Sequence, residues 1–178
     1  VFNADSYPAF GLQTMGEKAI AATQPDGNMS LDLKIEQVKQ YPTKDGEVTE
    51  ILLKDKVYPF EIKQYYKAYQ GTDIISTWIE IMNNGKKSVT LYRFVSAYLP
   101  VQRGDNWLTH FHGHWGAENM LEEEKLTNGQ KVTSNKDGMV NTETDNPSFM
   151  LSIDGKPQEE YGHILGGTLA WTGNYLLK

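Results

Sequence analysis

Apolar and polar side chains alternate with a period of two along most of this 178-residue chain. That period constrains the fold more than any motif does, because successive side chains point to opposite faces in a strand but not in a helix. Ser30-Leu-Asp-Leu-Lys-Ile-Glu-Gln-Val38 alternates cleanly and predicts a half-buried strand. Val48–Lys54, Pro59–Tyr69, Asp73–Met82, Ser88–Leu99, Ser148–Ile153 and Gly162–Trp171 extend the pattern, and no segment carries a convincing helical period. Asn83-Asn-Gly-Lys86 predicts a hairpin between two of these strands, since Asn-Gly suits turns with positive φ. Further turn markers sit at Gln24-Pro-Asp-Gly-Asn28, Lys44-Asp-Gly46, Asn128-Gly129, Lys136-Asp-Gly138 and Asp154-Gly-Lys-Pro157. Roughly ten strands joined by short turns, with no βαβ unit, imply an all-β antiparallel β-sandwich. The length suits one such domain over 1–178. Residues 126–146 are polar and rich in Gly, Asn, Asp and Thr, and read as one long mobile loop. The opening Val1-Phe-Asn-Ala-Asp5, without methionine, and the apolar ending Trp171–Lys178 read as an incomplete excerpt from a longer protein.

Charge removes whole classes of partner. Lys and Arg number 17 against 23 Asp and Glu, a net charge of −6, and no basic run exists. Nucleic acid and anionic membrane surfaces are therefore poor partners. No apolar stretch approaches the ~18 residues of a membrane-spanning helix. The densest charge run, Glu122-Glu-Glu-Lys125, reads as a solvated turn or strand end. The absence of cysteine excludes thiolate chemistry and sulfur-ligated zinc, and leaves the compartment open.

Leu108-Thr-His-Phe-His-Gly-His-Trp-Gly-Ala-Glu118 gathers three of the four histidines, a tryptophan and a glutamate. On a strand, His110, His112 and His114 share a face, with neighbours about 6.6 Å apart. His110-Phe-His112 followed by Trp-Gly resembles the zinc strand of α-type carbonic anhydrases, but Gly-His intervenes and no third ligand strand follows. The outer pair, about 13 Å apart at the backbone, does not readily close on one tetrahedral ion. The reading is therefore no metal and no cofactor, with strand histidines satisfied by their neighbours. Trp78, Tyr65, Tyr66, Tyr69 and Phe94 read as core or second-sheet packing, and Asp26-Gly27 as turn chemistry only. No Ser-His-Asp signature, phosphate loop or nucleotide fingerprint is present.

An ordered series of motifs carries a family resemblance. It runs Tyr7-Pro-Ala-Phe-Gly11, Pro25-Asp-Gly-Asn28, Asp73-Ile-Ile-Ser-Thr-Trp-Ile-Glu-Ile-Met-Asn-Asn-Gly85 and Val89-Thr-Leu-Tyr-Arg93. Gly113-His-Trp-Gly-Ala-Glu118, Asn146-Pro-Ser-Phe149 and Gly162-His-Ile-Leu-Gly-Gly-Thr-Leu-Ala-Trp-Thr-Gly-Asn-Tyr175 complete it. The series resembles the N-terminal domain of glycoside hydrolase family 36, the α-galactosidases, from Tyr7 to Tyr175. The resemblance implies a supersandwich like that of galactose mutarotases, preceding a (β/α)₈ barrel. The barrel would carry the two aspartates of retaining hydrolysis, so no catalytic residue is expected in this chain. It also implies an α-galactoside as ligand of the parent enzyme, packing on the enzyme's own barrel, and a homo-oligomer. Two departures stand out. Many relatives have Gly-x-Trp-x-Arg-Glu-Arg where this chain reads Gly113-His-Trp-Gly-Ala-Glu-Asn119, and a Ser-Ser-His stretch has no counterpart before Asn146. These leave room for a preference other than simple α-galactosides.

Within that frame Trp115, Glu118 and His114 are the candidate substrate-binding residues. Trp115 reads either as an aromatic wall for a sugar face or as a core or domain-interface tryptophan. Glu118 reads as an acceptor for sugar hydroxyls or as a solvated strand residue. The rival function is a stand-alone carbohydrate-binding sandwich.

Overall fold

The computed structural model describes residues 7–11, 17–102, 104–139, 143–171 and 173–178. Among them are twelve strands and no helix, and every ladder between strands is antiparallel. The chain divides into two compact units, 1–100 and 101–178.

In the first unit, β2 (Leu33–Thr43), β3 (Gly46–Asp55), β4 (Phe60–Tyr69) and β5 (Ile75–Asn83) form a meander in sequence order. The alternation explains it. Phe60, Ile62 and Gln64 of β4 are buried on one face, and Ile62 lies in register with Leu53 on β3 and Ile81 on β5. The other face carries the Tyr65–Trp78 ring stack at 4.8 Å and the Lys63–Glu50 ion pair at 3.6 Å. A ribbon of β1 (Ile20–Thr23) and β6 (Thr90–Phe94) supplies Ile20 and Ala22 to the same core cluster. Fully burying an Ile contributes roughly 1.5–3 kcal/mol.

Three sequence expectations fail in this unit. Ser30–Val38, expected to be half-buried, has Leu31 and Leu33 buried, but the rest of β2 is exposed. It is an edge strand, and an extra residue, Glu36, interrupts its register with β3. That bulge keeps Ile35 and Val38, three apart, on the core face opposite Leu53 and Ile51. Both nonetheless remain 62 % and 54 % exposed. The expected hairpin at Asn83-Asn-Gly-Lys86 does not form, because β5 pairs with β4 and β6 with β1. The Asn83 side chain accepts from Gly85 N and donates to Lys87 O, while Asn84 N returns to Pro59 O. The segment thus ends β5 by bonding locally and to the preceding loop. Phe94, expected in the packing, is exposed, because it sits at the end of the short β1–β6 ribbon.

The second unit holds β7 (Trp107–His114), β8 (Ala117–Lys125), β9 (Thr133–Asn135), β10 (Phe149–Ser152), β11 (Ile164–Gly167) and β12 (Tyr175–Leu177). Its four-stranded sheet runs β11-β10-β7-β8, and β12 pairs with β9. The expected loop 126–146 therefore contains a short strand. Asn135 is held there by its side chain, which donates to Met139 O and accepts from Asp137 N. Buried residues here are mostly polar, among them Thr109, His110, Thr133, Asn135 and Ser152. Large apolar side chains such as Leu121, Met150, Ile164 and Leu176 stay open to water.

Candidate functional site

The histidine segment becomes one hairpin, and its tip carries the three candidate binding residues. His114 pairs with Ala117, so Trp115-Gly116 is a two-residue loop. Gly116 has φ +78°, and nothing lies within 4 Å of where its Cβ would be. Glycine is needed there for backbone conformation, not for room. Just below the tip, Glu118 and Asn119 together oppose Gly113, a bulge with Asn119 at φ 53°. Such bulges twist a hairpin end and re-aim its side chains.

Trp115 is 84 % exposed, which removes its core reading. His114 Nδ1 lies 3.0 Å from Trp115 O, and Glu118 accepts from Gly116 N at 3.2 Å. Both contacts brace the turn that presents the indole. An open aromatic face flanked by an imidazole and a carboxylate suits stacking on a sugar's C–H face with hydrogen bonds to its hydroxyls.

The same hairpin brings together residues that sequence reasoning kept apart. His110 is directly opposite Glu122 across the β7–β8 ladder. Glu122 Oε2 lies 3.6 Å from His110 Nε2 and 3.6 Å from His112 Nδ1, and Glu124 Oε1 is 3.5 Å from His110 Nε2. Lys131 pairs with Glu124. The run Glu122–Lys125, read as a solvated turn or strand end, is the end of β8, and its Glu122 and Glu124 face a histidine cluster. His110 is only 3 % exposed, and neither ring nitrogen has a hydrogen-bond partner, its neighbours being the two carboxylates at ion-pair distance from Nε2. His110, His112 and Glu122 each offer a ligand atom within 4.8 Å of the others, whereas His114 is outside the group. The missing signal was register, because nothing in the sequence says which β8 residue faces His110.

On the opposite face of this sheet, Thr109, Leu121, Met150, Ser152 and Ile164 line a shallow pocket of about 140 Å³. In the first unit, Asp26, Tyr58, Asn83 and Lys87 line a groove of about 300 Å³. There Asp26 accepts from Asn28 N and from the Tyr58 hydroxyl, and these bonds hold its carboxyl below the usual range. The turn reading of Asp26-Gly27 stands beside a second part, this bond to Tyr58, which the sequence did not signal.

Comparison with known proteins accounts for nearly the whole chain. Residues 3–178 match the model of the glycosyl hydrolase family 36 N-terminal domain. The chain is 24 % identical over 187 aligned residues to alpha-galactosidase AgaA of Geobacillus stearothermophilus, covering 97 % of this chain and 25 % of that protein. It is 26 % identical to alpha-galactosidase Mel36A of Lactobacillus acidophilus, covering 98 % and 26 %. It therefore spans about a quarter of the length of these relatives. Among solved structures, Geobacillus stearothermophilus AgaA variants in complex with stachyose and with raffinose superpose with TM-scores of 0.86 and 0.87, at 24 % identity over 96 % of this chain and 26 % of theirs. The likeness shows that this all-β antiparallel chain shares the fold of about a quarter of each of those proteins. The chain belongs to the glycosyl hydrolase family 36 N-terminal domain family.

Proposed function

We propose that this chain is the non-catalytic N-terminal domain of an α-galactosidase that hydrolyses terminal α-galactosides with retention. In this reading residues 1–178 act as one domain, packed on a catalytic barrel and contributing to homo-oligomer contacts. The observation that carries it is apolar surface left open on core-type faces. Ile35 and Val38 stay largely exposed on the face that carries the first unit's core, and Leu121, Met150 and Ile164 are open beside the pocket of the second. Exposed apolar surface of this kind marks a face that packs against something else. The relatives, of which this chain spans a quarter, carry the additional mass that would cover it.

The hairpin tip is the part that meets substrate. Trp115 stacks on the sugar at the entrance of the barrel's pocket, and Glu118 and His114 bond its hydroxyls. The complexes of relatives with stachyose and raffinose support α-galactosides of that kind as the substrate class. The two carboxylates that exchange the glycosidic bond lie outside these residues, one as nucleophile and one as acid/base. The test is hydrolysis of an aryl α-galactoside by the full-length gene product, followed by nuclear magnetic resonance. α-Galactose as the first-formed anomer is expected. β-Galactose, or no hydrolysis of α-galactosides, would refute the reading.

A further inference from the structure

We infer that His110, His112 and Glu122 form a binding site for a divalent transition-metal ion, zinc being the ion they suit best. Strand alternation places the two histidines on one face of β7, and the ladder sets Glu122 opposite His110. This differs from the three-histidine arrangement dismissed on spacing, because the third ligand comes from the neighbouring strand. Ligand atoms about 2.0–2.2 Å from a tetrahedral zinc are roughly 3.3–3.5 Å from one another. The two imidazole-to-carboxylate distances here are both 3.6 Å, within tenths of an ångström of that spacing, and all three ligand atoms lie within 4.8 Å of one another, so closing on an ion mainly draws the two imidazoles together.

A second observation points to a ligand independently. The His110 side chain is 4 % exposed, and neither of its nitrogens is hydrogen-bonded. A buried polar ring without a hydrogen bond is costly, and such rings in folded proteins normally have one; the carboxylates 3.5–3.6 Å from Nε2 stand too far off to supply it. An ion at Nε2 provides it. Two imidazoles and a carboxylate are a borderline donor set of the kind zinc takes with three protein ligands, leaving a fourth position for water. His112 and Glu122 are nearly half exposed, which gives the ion its way in. Glu124, engaged by Lys131, stays as a neighbouring charge and not a ligand. The ion ties β7 to β8 below the bulge and so stiffens the hairpin that carries Trp115.

The full-length gene product is stripped with chelator and titrated with zinc by calorimetry, and with cobalt by visible absorption. Wild type is expected to take up one zinc more than His112→Ala or Glu122→Gln, or to hold it at least about 100-fold more tightly, since even groups supporting a ligand from outside its shell are worth ~10–100-fold. Bound cobalt should give the intense bands of four-coordination. His114→Ala should keep the site. Equal zinc uptake and affinity in wild type and both ligand variants overturns the inference. So does wild type without a four-coordinate cobalt band, a result that holds even if a variant fails to fold. A His114→Ala loss matching that of His112→Ala also overturns it.

Discussion

Replacing Trp115 by alanine separates binding from folding. An indole side chain offers about 250 Å² of surface, so the 16 % of Trp115 not exposed amounts to roughly 40 Å². At about 25 cal/mol per Å² that burial is worth about 1 kcal/mol, whereas a core tryptophan would cost roughly 3–5 kcal/mol on truncation. The urea midpoint of Trp115→Ala should therefore move little. If the ring meets sugar in the full-length enzyme, kcat/KM for an aryl α-galactoside should fall roughly 10- to 100-fold, the ~1–3 kcal/mol of one apolar contact in a pocket. Both quantities are measured on the same purified variant. An unchanged kcat/KM per folded molecule ends the substrate-contact reading. A loss of 3 kcal/mol or more of stability would contradict the exposed placement of the ring.

Ile62→Ala, at a fully buried position, should cost roughly 2–5 kcal/mol by denaturant unfolding. Ile35→Ala should cost little in the 178-residue chain, where Ile35 is mostly exposed, and more in the full-length protein if the barrel or a second copy covers that face; equal costs would remove the interface proposal. Burial pushes the Tyr7 hydroxyl, which donates to Val95 O at 2.7 Å, up to about 12. A raised value favours the protonated form, so its contribution is complete below the unfolded value near 10 and is lost as pH rises from there through about 12. The loss, at most about 3 kcal/mol, should be missing from the pH dependence of Tyr7→Phe, and parallel profiles for the two proteins would refute it.

Local patterns were legible in the sequence where neighbours in the chain are also neighbours in space. The β3–β4–β5 meander follows from alternation, and Asp45 does lie in the tight turn between Thr43 and Gly46. Trp115-Gly116 forms a turn in which Gly116 takes the positive φ that glycine permits. Non-local pairing was not legible. Asn83-Asn-Gly-Lys86 carries turn chemistry, but a turn does not choose the partner of the next strand, and β6 joined β1 across the chain. Ile35 and Val38 carry a core pattern on a strand that is largely exposed, because periodicity reports which face a residue takes and not what covers it. The His110–His112–Glu122 cluster depends on a cross-strand register that no spacing within β7 contains.

The central claim is that these residues serve an α-galactosidase without performing its chemistry. It is tested most directly by assaying the 178-residue chain and the full-length gene product on one aryl α-galactoside at equal molar concentration. Circular dichroism confirms β structure in both samples. Turnover is expected from the full-length protein alone, because positioning and acid/base groups outside this domain supply the acceleration. Turnover by the short chain that vanishes when one of its own residues is replaced would contradict it.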